Sequence, residues 1–377
     1  MRKCLLINCF ASSNENRIEP IKKWFDVNGF ETKYYSSNFH HAKKDFVDLP
    51  NYIIPVETLA YKKNLSFRRL ISHIKFSKKI YKILLEEKPD FLYIKFPPNS
   101  LVKYAARYKK KYNCRLIFDV FDLWPESLPI SKFKKIIIAP FSLFWKVPRN
   151  GFLKYGDLVL TECDMYKEFL HKFLPANAHT LYLSKKDYSS DCFAQKTFLE
   201  KKPNTISLCY LGGINNLIDI ELIGRIIFHL RSYGNIELNI IGDGGNRDSL
   251  IKMAEQNGAN VLFHGIIFDE AKKRSIMSCC DFGLNIMKTE VKVALTLKSI
   301  EYFRAGLALI NNIPGDTSSI IHKTGSGINV KTDGSFPFKL DDLETMKKAS
   351  RNVFESFFEE DIVVKRFENV IRESNLL

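Results

Sequence analysis

The sequence lacks the spacings that make cysteine informative. None of its eight cysteines falls in a Cys-x-x-Cys pair or a Cys/His pattern of zinc-binding type, and Cys279 and Cys280 are simply adjacent. Neither a zinc site nor a disulfide framework is predicted, and the thiols are read as reduced and cytosolic. A long apolar run is also missing. The longest, Ile136 to Trp145, is broken by Pro140 and falls short of the ~20 residues that a membrane-spanning helix needs. The first residues, MRKCLLINCF, hold too short an apolar stretch for a signal peptide and read as a first strand. No segment repeats at a period of about 20 to 50 residues, which excludes solenoids and propellers. Acidic residues are scarce, 42 against 57 Lys and Arg, and the net charge is +15. That excess favours an anionic partner, whether nucleotide phosphates, nucleic acid or an acidic lipid surface. No recognised nucleic-acid-binding module accompanies it.

What is present is an alternation of short apolar runs and helical patterns over 377 residues, 45% of them apolar, enough for two cores. Cys4–Phe10, Phe30–Tyr35, Phe91–Phe96, Arg115–Val120, Leu158–Asp164 and Thr180–Ser184 read as strands of a first domain. ISLCYLGG, IELNIIGDGG, ANVLFHGII, CDFGLNIM and LALIN form a second series, each pair separated by a helical segment. The pattern predicts α/β architecture with two doubly wound, Rossmann-like parallel sheets. Residues 1–184 form the first domain, 185–204 a polar linker, 205–355 the second domain and 356–377 a final helix. The first βα loop, Ala11 to Arg17, carries no Gly-x-Gly, so a dinucleotide fingerprint is absent. Tyr61–Leu85 is predicted to be a basic helix. The segment from Lys132 to Arg149 mixes Lys132, Lys134, Lys135 and Lys146 with Phe133, Phe141, Phe144 and Trp145. Both suit an anionic membrane surface, and both also suit an ordinary solvated face.

The stretch Ala294 to Asp316, ALTLKSIEYFRAGLALINNIPGD, organises the second domain. Thr296 is placed to cap a helix, Leu297, Ile300 and Phe303 fall on one apolar face, and Gly306 stands where the helix ends. Such an N-terminus carries about half a positive charge, so Thr296, Leu297, Lys298 and Ser299 suit a diphosphate, to which Lys298 adds a full charge. Glu301 lies about one turn further in, within reach of the two hydroxyls of a ribose. Gly212, Gly213, Gly242 and Gly244 end two strands on the same predicted sheet edge and allow close backbone approach to a ligand.

Lys298-x-x-Glu301-Tyr302 with Ala305-Gly306 and an apolar strand, together with the upstream segment Asp122-Leu123-Trp124-Pro125-Glu126-Ser127, resembles the retaining glycosyltransferases of GT-B fold that build bacterial polysaccharides such as O-antigen and capsule, of glycosyltransferase family 4 type. The likeness extends over nearly the whole chain. It implies two Rossmann-like domains facing a cleft, a nucleotide-sugar donor on the second and a glycan acceptor, lipid-linked in many such enzymes, on the first. It also implies that the last helix crosses back to the first domain. By resemblance Lys298, Glu301 and Asp122 carry catalysis, Ile266 meets the nucleobase through its backbone, and Asp122, Trp124 and Glu126 face the acceptor. Where the family carries Arg or Lys after the first glycine turn, this chain has Asn215, Asn216 and Asp219, so Lys298 is expected to hold more of the phosphate charge. Val293 stands where the family places a glutamate against the donor sugar. No Asp-x-Asp occurs, so the divalent-ion clamp of a GT-A transferase is not expected and no cofactor is needed. A nucleotide-sugar epimerase or hydrolase of the same fold, and a basic nucleic-acid binder, are the competing readings.

Overall fold

The computed structural model describes residues 2–10, 17–41, 43–64, 66–127, 136, 139–188, 203–331, 333–336 and 339–377. The chain divides into two compact units, Met1–Ser184 with Val363–Leu377, and Lys185–Ile362. Of the sequence readings, most of the first βα loop, Lys132 to Lys135, and residues 189–202 of the linker lie outside the described residues.

Unit 1 is built on a seven-stranded sheet. Its strands are β1 (Arg2–Asn8), β2 (Phe30–Ser36), β5 (Ile53–Pro55), β6 (Phe91–Phe96), β7 (Arg115–Val120), β8 (Leu158–Thr161) and β9 (Ala178–Thr180). Their order is β5-β2-β1-β6-β7-β8-β9, and every pairing is parallel. A two-residue ribbon, β3 (Phe39–His40) with β4 (Asp45–Phe46), is antiparallel beside it. A parallel sheet covered on both faces needs continuous apolar strands, and β6 is buried at all six positions. The helices are α1 (Ile18–Val27), α2 (Phe67–Glu87), α3 (Asn99–Tyr112), α4 (Ala139–Phe152) and α5 (Asp164–Leu170). The strand predicted at Thr180–Ser184 is observed as β9, Ala178–Thr180, beside β8; just past it the Leu181 N–H still donates to the Thr161 carbonyl at 2.9 Å, and Leu181 and Leu183 are buried.

Unit 2 carries β10 (Thr205–Leu211), β11 (Asn235–Ile241), β12 (Ala259–Gly265), β13 (Phe282–Asn285), β14 (Ala308–Asn311) and β15 (Gly327–Asn329). Their order, β12-β11-β10-β13-β14-β15, is again all parallel. The order reverses between β10 and β13, and α/β sheets bind ligands outside the carboxyl ends of strands at such a reversal. Its helices are α6 (Ile220–Leu230), α7 (Arg247–Gln256), α8 (Glu270–Ser278), α9 (Leu297–Ala305), α10 (Asp316–Thr324) and α11 (Leu343–Val353). The last helix, α12 (Glu360–Glu373), buries Val363, Phe367 and Ile371 in the core of unit 1, where Trp24 and Phe367 meet edge to face at 5.2 Å. Among the described residues no helix is long and apolar enough to cross a membrane, and no group of His, Cys, Asp and Glu is arranged to hold a metal. None of the seven described cysteines is in a disulfide among the described residues.

Candidate functional site

The carboxyl edge of the unit 2 sheet collects every residue predicted to hold the donor. Helix α9 starts there with both halves of a capping box: the Ser299 N–H donates to Thr296 Oγ1 at 3.1 Å, and the Thr296 N–H donates to Ser299 Oγ at 3.2 Å. Thr296 Oγ1 also donates to Asn285 Oδ1 at 2.9 Å, which fixes the helix start to the end of β13. Gly306, at φ 70°, ends the helix. Ile300 and Phe303 are fully buried, whereas Leu297 is 50% exposed. The predicted apolar face therefore begins at Ile300.

Lys298 holds its ammonium 4.8 Å from the ring centroid of Tyr210 on β10. Burial pulls its pKa down to about 8, and no carboxylate among the described residues pairs with it. Taking an ammonium out of water without a counter-ion is costly, so this position favours an anion. Glu301, 5% exposed, is not partnered by Lys298. Its Oε1 pairs with Lys185 Nζ at 2.8 Å and its Oε2 with Arg304 at 3.4 Å. Burial opposes its ionisation, but Lys185, Lys273 and Arg304 outweigh that and hold its pKa below the usual carboxylate range.

Tyr302 supplies a contact that sequence reasoning missed. Its hydroxyl accepts from the Leu211 N–H at 2.8 Å and donates to the Leu284 carbonyl at 3.4 Å, tying α9 to β10 and β13. Its ring occupies the space over Gly283, where a Cβ would come within 2.3 Å of it. The signal was a lone glycine inside an apolar strand, which marks a close approach.

The glycine turns serve one another first. A Cβ on Gly242 would lie 2.0 Å from the Gly212 carbonyl oxygen, and one on Gly244 would lie 2.3 Å from that of Ile214. Gly212 N–H donates to Ile241 O at 2.9 Å, and Gly242 N–H to Gly265 O at 2.8 Å, so three βα loops are laced together. The outer side of Gly212 stays open, and Gly213 meets only the Asn215 side chain, at 3.7 Å. Asn215 Oδ1 accepts from the Leu217 N–H, and Asp219 caps α6 through the Leu222 N–H, both at 2.9 Å. Ile266, just past Gly265, is exposed.

On unit 1, Asp122 and Trp124 follow the carboxyl end of β7. Burial pushes the Asp122 carboxyl up, and its Oδ1 accepts from Ser127 Oγ at 2.7 Å. Glu126 is committed elsewhere: Arg149 of α4 holds its two oxygens at 2.6 and 3.1 Å. That buried bidentate pair anchors the segment to α4 and occupies the carboxylate expected to face an acceptor. The Trp124 ring lies 4.0 Å from the Arg69 guanidinium. Arg69, expected on the solvated basic face of α2, is instead buried with His73 one turn on, and the helix starts at Phe67 behind a Ser66 cap. Glu162, at the end of β8, is a second carboxyl here; burial raises its pKa to about 8, with Asp122 and Asp119 adding to the rise and Arg17 and Lys95 opposing it. Exposed Phe67 meets Phe141 of α4 at 5.3 Å, and Leu143, Phe144 and Val147 of α4 are exposed too, with Lys62, Lys63 and Arg68 exposed at the α2 end.

The sequence matches no protein-family profile and no curated protein. Solved structures do resemble it across their whole length. Sucrose-phosphate synthase from Thermosynechococcus elongatus superposes with a TM-score of 0.69 at 11% identity, covering 99% of each chain. Anabaena HepE in complex with UDP gives 0.64 at 11% identity, over 99% of this chain and 100% of that one. The apo lipopolysaccharide outer core galactosyltransferase WaaB gives 0.63 at 17% identity, over 98% and 99%. The fold is therefore that of the GT-B glycosyltransferases, with two Rossmann-like units.

Proposed function

We propose that this protein is a glycosyltransferase that moves a sugar from a nucleotide-sugar donor to a glycan acceptor, lipid-linked, in bacterial surface polysaccharide synthesis, with retention and without a metal. The observation that carries the reading is Lys298, a desolvated ammonium with no counter-ion among the described residues, at a capped helix N-terminus beside a topological switch point. In this reading the helix end and Lys298 hold the donor diphosphate, Glu301 accepts from the ribose hydroxyls, Gly212 and Gly213 let the backbone approach the phosphates, and the backbone at Ile266 meets the base. HepE complexed with UDP and glucose, and the E. coli trehalose-6-phosphate protein bound with UDP-2-fluoro glucose, support a uridine nucleotide. The acceptor hydroxyl attacks the anomeric carbon, the bond from that carbon to the diphosphate oxygen breaks, and the hydroxyl proton passes to the departing diphosphate. Fixed dipoles and the Lys298 charge stabilise that leaving group. Asp122 and Trp124 serve the acceptor, and Glu126 holds their segment. The exposed apolar residues of α2 and α4, flanked by lysines, suit docking on an anionic membrane.

The test is a thermal-shift screen with UDP-, GDP- and dTDP-sugars, since a ligand at about 100 times its Kd adds roughly 2.7 kcal/mol to the folded state. A shift with one nucleotide class that Lys298→Met abolishes supports the reading. No shift with any of them overturns it.

A further inference from the structure

Among the described residues unit 1 buries three arginines, of which two have a counter-ion. Arg17 makes a bidentate pair with Asp119, both contacts at 2.9 Å, and Arg149 makes one with Glu126. Arg69, 2% exposed, has none: no carboxylate among the described residues lies within ion-pairing distance of it. Its Nε donates to His73 Nε2 at 3.4 Å and its Nη1 to the Asn64 carbonyl at 3.2 Å. Aromatic rings wall it in, with Trp124 at 4.0 Å, Tyr61 at 5.6 Å, and Phe10 and Trp145 at 5.8 Å. More basic groups gather on the same cage. His73 is buried and its Nδ1 has no partner. His41 Nδ1 lies 2.8 Å from Tyr61 Oη, and the Lys44 ammonium sits 5.0 Å from the Tyr61 ring centroid.

A buried cation without a partner is costly, and cation–π contacts offset only part of that cost. Asp122 is a carboxylate whose charge reaches Arg69 short of ion-pairing distance, and its Oδ1 accepts from Ser127 instead; His41, His73 and Lys44 add donors to the cage. From this we propose that the Arg69 cage binds the phosphate group of the acceptor, with Arg69 as the charge that receives it and His41, His73 and Lys44 as further donors. The proposal rests on the acceptor reading of Asp122 and Trp124, whose ring forms one wall. A guanidinium fork matches phosphate oxygens two at a time, and the dry aromatic walls strengthen the contact. Ring contacts also run outward from the cage: Trp145 meets Phe141 at 5.2 Å, and Phe141 meets the exposed Phe67. That path suits a hydrocarbon chain attached to the phosphate.

The experiment titrates the full chain with farnesyl phosphate, farnesol and inorganic phosphate, reading the fluorescence of Trp124 and Trp145, and repeats it with Arg69→Met. Farnesyl phosphate should bind at least about tenfold more tightly than farnesol, and Arg69→Met should lose that preference. The variant should melt no lower than the parent, because methionine of similar size removes an uncompensated buried charge. Tighter binding of farnesyl phosphate than of inorganic phosphate assigns the group to a lipid. Equal binding assigns it to a soluble phosphorylated acceptor. Wild-type preference retained by Arg69→Met, or no phosphate binding by the parent, overturns the proposal. UDP affinity, measured in parallel, separates this outcome from a failure of the donor site, since Arg69→Met should leave it unchanged.

Discussion

Glu301 and Lys298 are the two charges of the proposed donor site, and each has its own test. If Glu301 accepts from ribose, Glu301→Gln keeps its size but loses charge assistance worth roughly 1.5–3 kcal/mol per bond before compensation, so donor affinity falls at least tenfold. Glu301→Ala should be weaker still. Calorimetry reads the affinity, and unchanged binding in both variants would leave Glu301 a purely structural partner of Lys185 and Arg304. For Lys298 the pH dependence carries the sign. Burial holds its pKa at about 8, below the free lysine value of 10.5, and a bound diphosphate favours the charged form. Donor affinity is therefore full below pH 8 and declines as pH rises through it. Stability of the unliganded protein gains over the window from pH 8 to 10.5, where the unfolded chain binds more protons at this residue. Titrating UDP at two pH values flanking 8 checks this, and Lys298→Met should flatten the difference. Glu162 works the other way. Its pKa of about 8 stands above the free value of 4.5, so its contribution to stability is complete below pH 4.5 and lost as pH rises to 8. Glu162→Gln should raise the melting temperature at pH 8 and leave it unchanged at pH 4; an equal shift at both would remove the buried-carboxyl account.

At the level of elements, α9 is held to its sheet by Tyr302 and by the Thr296–Ser299 box rather than by its apolar face alone. Tyr302→Phe keeps the ring over Gly283 but leaves the Leu211 N–H without its acceptor, a loss of about 1–3 kcal/mol. The melting temperature should fall by several degrees, and nucleotide affinity should fall with it, because the helix start is no longer set against β10. A stability loss with unchanged UDP affinity would show that the tie does not position the site. The segment after β7 depends in the same way on α4: breaking the Glu126–Arg149 pair strands a buried charge, and a cost of about 3–5 kcal/mol is expected for either single removal.

For the whole molecule, a net charge of +15 and the exposed side chains of α2 and α4 set the expected behaviour at membranes. The protein should sediment with anionic vesicles and be released as salt rises, since screening shortens to about 8 Å at physiological ionic strength. Replacing Leu143 and Phe144 by Ser should weaken that binding without changing UDP affinity. Equal binding to neutral and anionic vesicles at every salt concentration would count against the surface. If the α9 N-terminus and Lys298 hold the diphosphate, transfer activity should also persist in EDTA. Complete loss restored by magnesium would require a different clamp.

Local chemistry was enough to place the strands, the Thr296 cap, the Gly306 stop and the alternation that makes both sheets parallel, because periodicity, capping and turn preference act within a few residues of themselves. The same local pattern located Lys298 and Glu301 on one helix start. It did not give their partners. Helical periodicity put Arg69 on a solvated basic face, but the buried stripe of α2 is set by what packs against it, and Trp124 and Trp145 come from elsewhere in the chain. Glu126 read as an acceptor contact, and folding adds the Arg149 pair that holds its two oxygens; Glu301 read as a ribose contact, and folding adds Lys185 and Arg304 beside it. The glycines after β10 and β11 read as ligand space, whereas Gly242 and Gly244 are required by the close approach of the loop after β10. In each case the deciding contact joins residues far apart in sequence, and only the packing of strands and helices brings them within a few ångströms.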